Sequence, residues 1–466
     1  MGISSLGVGS NVLTQDLIDK LKAADESQFV RPLTTRISSE KSKSGQLDIV
    51  NALMDNLSES TGNVADFGLF NKRSTEVTGS AVEVTANEGS DIQDFTITVN
   101  HLATKEIEQS GTFSTEDAGV ATGDGQLKLS VGSEDFTIDY TSDMKLTKLK
   151  EEINKAAAGM AQASIVQIGD GDFRLFVTAV NTGTGQDISI EDLGDGAGNK
   201  TLDTALTTGM SNVQTADDAS FKYNGLDITR KSNVVDDLLS GVTITLKEGT
   251  DASPSTSSVN VKQDVKEIED KLDSFVEKFN SAITQLNAMT KSSQDIKERG
   301  VFSSDNTIKG MKNTVMTMVS TVGEGVGRLE DYGFSSNKDG TISLDHSKFE
   351  EKLKENPDNV EAFFSGGDFT VDGSTKTLTG AFDEMKSTLD RYTKYNATLD
   401  QLKTSYTTRI SSLEDQKQLA TDRLTAKYKI MEKRFAAYDA MISKINSAST
   451  VFVQLANAQA AAARGN

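Results

Sequence analysis

At 466 residues the chain is long enough for roughly two to four domains, and its net charge of −21 argues against nucleic-acid or anionic-membrane partners. It has no cysteine, so disulfides and thiolate metal sites are excluded. No apolar run reaches about 18 residues, which excludes a transmembrane helix. Residues 74–255 carry 30 acidic and 12 basic side chains (net −18), and the remainder 39 and 36 (net −3), so a solvated acidic middle is expected between partner-facing flanks.

Met1 to Ser10 lacks a charged n-region and no apolar h-region follows, so no Sec-type signal is expected. Leu6 stands where a myristoylation motif needs a hydroxyl. After this Gly/Ser-rich lead, Thr14 can cap a short helix with Leu17, Leu21 and Ala24 along one side. Pro32 interrupts, and a second helical stretch carries Leu33, Ile37, Leu47, Val50, Met54 and Leu57. Their spacing is near heptad, weakened by polar Glu40 and Ser44.

From Ser74 the period switches to two. Glu76-Val77-Thr78, Val82-Glu83-Val84 and Phe95 to Val99 alternate between Gly, Asn and Asp punctuation, and 19 of the 37 glycines lie in residues 74–255. Within this region Phe136 to Tyr140 reads as a strand and Lys145 to Ala158 as a helix with apolar Leu146, Leu149 and Ile153. Alternation returns at Ala163 to Ile168 and Phe173 to Val177, giving an α+β module set inside a β region. The outer β region resumes at Phe221, ends near Leu246, and Ser/Pro-rich residues 251–258 are expected to form a linker.

From Asp264 the helical period is strong, with Val265, Ile268, Leu272, Phe275, Phe279, Ile283 and Leu286 in steps of three and four. A mixed segment with a turn at Asp339-Gly340 follows. The last stretch is the most regular: Leu424, Tyr428, Met431, Phe435, Tyr438, Ile442, Ile445, Ser449, Phe452 and Ala456 keep a 4-3 alternation. A seam sustained for about four heptads argues for a coiled coil. One outcome is an intramolecular bundle of both chain ends. A thin seam is marginal without a partner, however, so the termini are expected to be disordered in the monomer and to order on assembly.

Catalytic signals are sparse. His101 and His346 stand far apart, neither beside a convincing partner, and no Gly-x-Ser-x-Gly elbow, His-Glu-x-x-His pair or Walker A loop occurs. Gly323-x-Gly325-x-Gly327 lacks the dinucleotide spacing and reads as a flexible loop. Ser335 to Ser343 is superficially similar to a calcium loop. It opens on Ser335 and places His346 where the bidentate Glu belongs, so an Asp-Gly turn is expected there.

The chain resembles one family throughout: the bacterial flagellar filament cap, also called the FliD family or flagellar hook-associated protein 2. The resemblance rests on Ser4-Ser5-Leu6-Gly7-Val8-Gly9-Ser10, on Phe275 to Asn280, and on Gly300-Val301-Phe302-Ser303-Ser304-Asp305. It continues through Tyr332-Gly333-Phe334, Asp339 to Asp345, Phe363-Phe364-Ser365-Gly366 and Met431 to Phe435 up to Met441. The inserted module, with Ile153-Asn154 and Arg174 to Thr178, is similar to one shared among flagellins and hook proteins.

The resemblance implies a multidomain α+β fold with terminal coiled-coil helices, a helical bundle domain and two β-rich head domains, the outer inserted in the inner. On this chain it places leg segments at 1–45 and 411–466 and helical-domain parts at 46–73 and 256–410. The inner head falls at 74–110 with 214–255 and the outer head at 111–213. It implies no enzyme, no cofactor and no metal, but a cap at the filament tip, exported by the flagellar type III route. Implied partners are further copies of the chain, flagellin, the export apparatus and a dedicated export chaperone, without nucleic acid or membrane insertion. Leg contacts are expected at Leu17, Leu21, Leu424, Tyr428, Met431, Phe435, Tyr438, Ile442, Ile445 and Phe452. A hook–filament junction protein and a tip adhesin binding host mucus or glycans are the alternatives.

Overall fold

The computed structural model describes Gly7, Val12 and residues 14–463, with side chains as far as Ala461. Two compact units are present: one from the chain ends (up to Phe67 and from Ile268), the other from Gly68–Glu267.

The first unit opens with helices α1 (Gln15–Phe29) and α2 (Arg31–Ala65). The interruption expected at Pro32 is present: α1 ends at Phe29, and Pro32 occupies the first turn of α2, where its missing N–H costs little. Along α2, Ile37, Leu47, Val50, Met54, Leu57 and Val64 are buried.

The middle unit contains β1 (Arg73–Thr78), β2 (Val82–Ala86), β3 (Gln93–His101), β4 (Lys105–Gln109), β5 (Gly125–Val131) and β6 (Glu134–Tyr140). It continues with α3 (Leu146–Ala156), β7 (Ala161–Gly169), β8 (Asp172–Thr182), β9 (Ile188–Gly194), β10 (Ser211–Gln214) and β11 (Ala219–Tyr223). The last four strands are β12 (Leu226–Arg230), β13 (Val234–Leu239), β14 (Val242–Leu246) and β15 (Ser255–Gln263).

Two cores result. A five-stranded sheet, β1-β15-β3-β11-β12, and a three-stranded sheet, β13-β14-β2, contribute Phe95, Ile97, Val99, Phe221, Ile244 and Val261 to one. The four-stranded sheet β10-β4-β8-β7, the sheet β6-β5-β9 and α3 form the other. Leu146, Leu149 and Ile153 of α3 are fully buried there, as their 3-4 spacing requires.

The linker expected at 251–258 is corrected: from Ser255 the chain enters β15, an inner strand paired on both edges with β1 and β3. Alternating Ser257, Val259 and Val261 face inward, a period-two signal hidden by the surrounding serines. β4 and β10 pair with one another and β4 with β8, so both belong to the sheet that flanks the second core. The crossing between cores is braced by side chains. Asn233 binds both the N–H and the carbonyl of Ala103 at 2.8 and 2.9 Å, and buried Glu106 accepts from Asn212 Nδ2 and Ala216 N, each at 2.6 Å.

The first unit resumes with α4 (Val265–Thr290), α5 (Asn306–Thr321), β16 (Phe334–Ser336) and β17 (Ile342–Leu344). It ends with α6 (His346–Glu355), α7 (Pro357–Ser365), β18 (Gly367–Val371), β19 (Ser374–Leu378), α8 (Ala381–Thr393) and α9 (Thr398–Ala463). Its core is aromatic: Phe364 stacks on Phe382 at 5.4 Å, and Tyr332 on Phe363 at 4.3 Å. Phe275 meets Phe382 edge-on at 4.8 Å. Each fully buried ring contributes about 2 kcal/mol of apolar burial.

Three local expectations change. Both histidines have partners: His101 Nδ1 lies 2.7 Å from Asp251, and His346 faces Glu269 and Asp273 at 3.0 and 3.1 Å. Residues from different elements meet there, a pairing no local motif announces. The Gly323–Gly327 loop is tethered, because Thr379 N donates to the Glu324 carboxylate at 2.9 Å and Lys376 to its carbonyl at 2.6 Å. Glu40, which interrupts the α2 seam, is met by Lys43 at 3.1 Å and Arg409 at 3.5 Å.

Candidate functional site

The helices that carry the expected contact residues meet on α9. At the start of α1, Thr14 Oγ1 accepts from Leu17 N at 3.4 Å, the expected cap. The expected stripe is displaced: Ile18 is the buried residue, whereas Leu17 is half-buried and Leu21 is 39% exposed. The reason lies one helical repeat further on, where Asp25 shares the face of Ile18 and is gripped from α9. Tyr428 Oη donates to Asp25 Oδ2 at 2.7 Å, and Lys427 Nζ donates to the same oxygen at 2.6 Å.

These polar contacts sit beside an apolar cluster of Ile18, Leu424 and Tyr428, with Val30, Met431 and Phe435 packed around it. Lys427 and the Tyr428 hydroxyl hold the Asp25 carboxyl below its usual range. Burial, helped by the bond to Asp25, pushes the Tyr428 phenol up to about 12. Further along α9, Gly7 N donates to the buried carboxylate of Asp439 at 3.1 Å. Gly7 has φ +97°, and a Cβ there would meet Thr14 Cγ2 at 2.8 Å, so only glycine fits. The remainder of the Ser4 to Ser10 motif lies outside the described residues.

The 4-3 seam thus divides. Leu424 and Tyr428 are buried against α1, Met431 and Phe435 are half-buried on the same cluster, and Ile442 is half-buried. Beyond them Tyr438 is 56%, Ile445 59% and Phe452 73% exposed. Met441, Val451, Val453 and Leu455, which the seam did not name, are exposed on the same stretch. Asp25, Lys427 and Asp439 were missed as well; charged residues on a helix carry no sign of a partner some 400 positions away. α2 and α9 run unbroken through 45/46 and 410/411, where legs and helical domain were expected to divide.

Chemically the arrangement offers contact surface. Among the described residues no group of three or more His, Asp or Glu side chains could hold a metal ion. None of the described helices is long and apolar enough to cross a membrane.

Fold and site together define a multidomain α+β protein whose two ends pair in one helical unit. The family models agree: flagellar hook-associated protein 2 N-terminus matches residues 10–106, and flagellar hook-associated protein 2 C-terminus matches residues 216–447. The chain belongs to the flagellar hook-associated protein 2 family. It is 28% identical over 420 residues to flagellar hook-associated protein 2 of Campylobacter jejuni, covering 78% of this chain but only 64% of that one. Identity to the Aeromonas caviae protein of the same name is 24% over 476 residues, 98% of each chain. A crystal structure of the D1-D2-D3 domains of the flagellar cap protein FliD from Escherichia coli shares the fold, with TM-score 0.61 and 24% identity. It covers 78% of this chain and 99% of that one.

Proposed function

We propose that this chain caps the distal end of a bacterial flagellar filament as a ring of several copies, retaining exported flagellin and promoting its folding and addition at the tip. Family membership supports the setting. The observation that carries the mechanism is the exposed apolar stretch of α9 from Tyr438 to Leu455. A solvent-facing helix with such a stripe is marginal alone and gains stability from a partner. In this reading the α1-paired part of α9 anchors the leg through Ile18, Leu424, Tyr428, Met431 and Phe435, while Leu17 and Leu21, outside that cluster, are left to meet neighbouring chains. Tyr438, Ile442, Ile445 and Phe452 then meet neighbouring copies or the last flagellin subunits. Contacts worth only a few kcal/mol per leg suit a cap that shifts at each addition.

The same reading places the protein outside the cell at the flagellar tip, after type III export with a dedicated chaperone. The test is a strain lacking the gene. Short or absent filaments with abundant flagellin in the medium, restored by supplying the protein, are expected. Normal filaments in that strain would overturn the reading.

A further inference from the structure

Helix α4 presents a polar ladder to the segment that links β16, β17 and α6. Asn287 Nδ2 donates to the Asp339 carbonyl at 2.9 Å. Seven residues earlier, Asn280 grips Ile342 twice, donating to its carbonyl at 2.8 Å and accepting from its N–H at 2.7 Å. Seven earlier again, Asp273 and, one turn away, Glu269 take His346, the first residue of α6. Heptad spacing keeps the rungs on one face of α4.

The last rung differs in kind from the others. His346 Nδ1 lies 3.0 Å from Glu269 Oε1, and Nε2 lies 3.1 Å from Asp273 Oδ1. Glu269 Oε1 is closed off from solvent and has no formed hydrogen bond, and the imidazole lies against it at ion-pair distance. A neutral imidazole has a single N–H, so one of its nitrogens would turn a lone pair toward a carboxylate oxygen. Only the imidazolium donates on both sides.

We propose that His346 is a proton-dependent clasp: doubly protonated it bridges Glu269 and Asp273 and fixes the first turn of α6 to α4, and on losing a proton it releases that turn. Asn280 and Asn287 are not titratable and hold the β16–β17 hairpin in either state.

The surrounding charges favour the closed state. On α6 itself, Glu350 faces the ring and is paired with Lys354 at 2.7 Å. The turn Leu329–Tyr332 brings Glu330, whose carbonyl accepts from Lys348, and Asp331, which lies toward Lys352. Burial works against the charge on His346, but the close approach of Glu269 and the charges of Asp273 and Glu269 outweigh it, and its pKa is raised. A raised histidine stabilises the fold fully below the unfolded value of about 6.5 and loses that contribution as pH rises through the folded value.

The experiment is an NMR titration of the full chain with labelled histidine. There are only two imidazoles, and a His101→Gln variant assigns them. His346 is expected to titrate above about 6.5, and to fall toward that value in Glu269→Gln with Asp273→Asn. Amide exchange in the first turn of α6 should accelerate through the same pH range while Ile342 stays protected. A His346 titrating at or below about 6.5 in the unsubstituted chain overturns the proposal. So does a pKa that does not move when both carboxylates are neutralised in a variant whose circular dichroism is unchanged.

Discussion

Tyr428 donates its phenolic hydrogen to Asp25 at 2.7 Å, across 403 residues of chain. The contact joins the first helix to the last beside a small apolar cluster, and it explains why α1 lies on α9 by its Ile18–Asp25 face.

Removing the hydroxyl tests that contact. In Tyr428→Phe, amide exchange in α1 should rise by about fivefold, the loss expected for one net hydrogen bond. Lys427 still holds Asp25, so the helices should stay paired. Asp25 is held below its usual range, so its contribution is complete above the ordinary carboxylate value of about 3.9 and is lost as pH falls through the folded value. Exchange in α1 should accelerate in acid through that window, and less so in Asp25→Asn.

Leu424 and Phe452 occupy equivalent seam positions but different environments. Leu424→Ala deletes a buried member of the Ile18 cluster and should cost about 2 kcal/mol of local stability by denaturant unfolding. Phe452→Ala, at a site 73% exposed, should change monomer stability by less than about 0.5 kcal/mol while weakening self-association in sedimentation velocity. Equal stability losses in the two variants would contradict the division of the seam. Phe435→Ala is the less selective probe, because its ring already packs on the cluster and both readouts should move.

Buried Asp192 accepts from Tyr140 Oη at 2.6 Å, Gly194 N at 2.8 Å and Leu202 N at 3.0 Å. Asp192→Ala strands three donors and should destabilise the middle unit by about 3 kcal/mol or more, seen as a lower melting midpoint. Burial raises its pKa, but the hydrogen bonds from Tyr140 and the two backbone N–H groups outweigh that and leave it lowered. Stability of this unit should therefore fall in acid below about pH 4, and the slope should flatten in Asp192→Asn.

Gly7→Ala places a methyl against Thr14 in a backbone region L-residues avoid. A cost of about 1–2 kcal/mol is expected at the Gly7–Asp439 contact, read as faster exchange in the first turn of α1.

Secondary structure was largely legible because it depends on local period. Phe275, Phe279, Ile283 and Leu286 on α4, or Phe95, Ile97 and Val99 on β3, state which face is buried whatever lies opposite. β15 escaped because its inward positions begin at Ser257, a small polar residue that packs like part of a strand only when β1 and β3 flank it.

What the chain order alone determined is the alternation of helix, sheet and helix, the acidic middle, and a heptad seam near the end, each the result of side-chain periodicity and charge. Where that seam is covered was decided by tertiary structure. Leu424 and Tyr428 are buried because α1 arrives from the other end of the chain with Ile18 and Asp25, while Tyr438 and Phe452, in the same repeat, remain exposed. The same holds for His346: its charge state depends on two carboxylates more than seventy positions away, and a contact of that range exists only once the fold has closed.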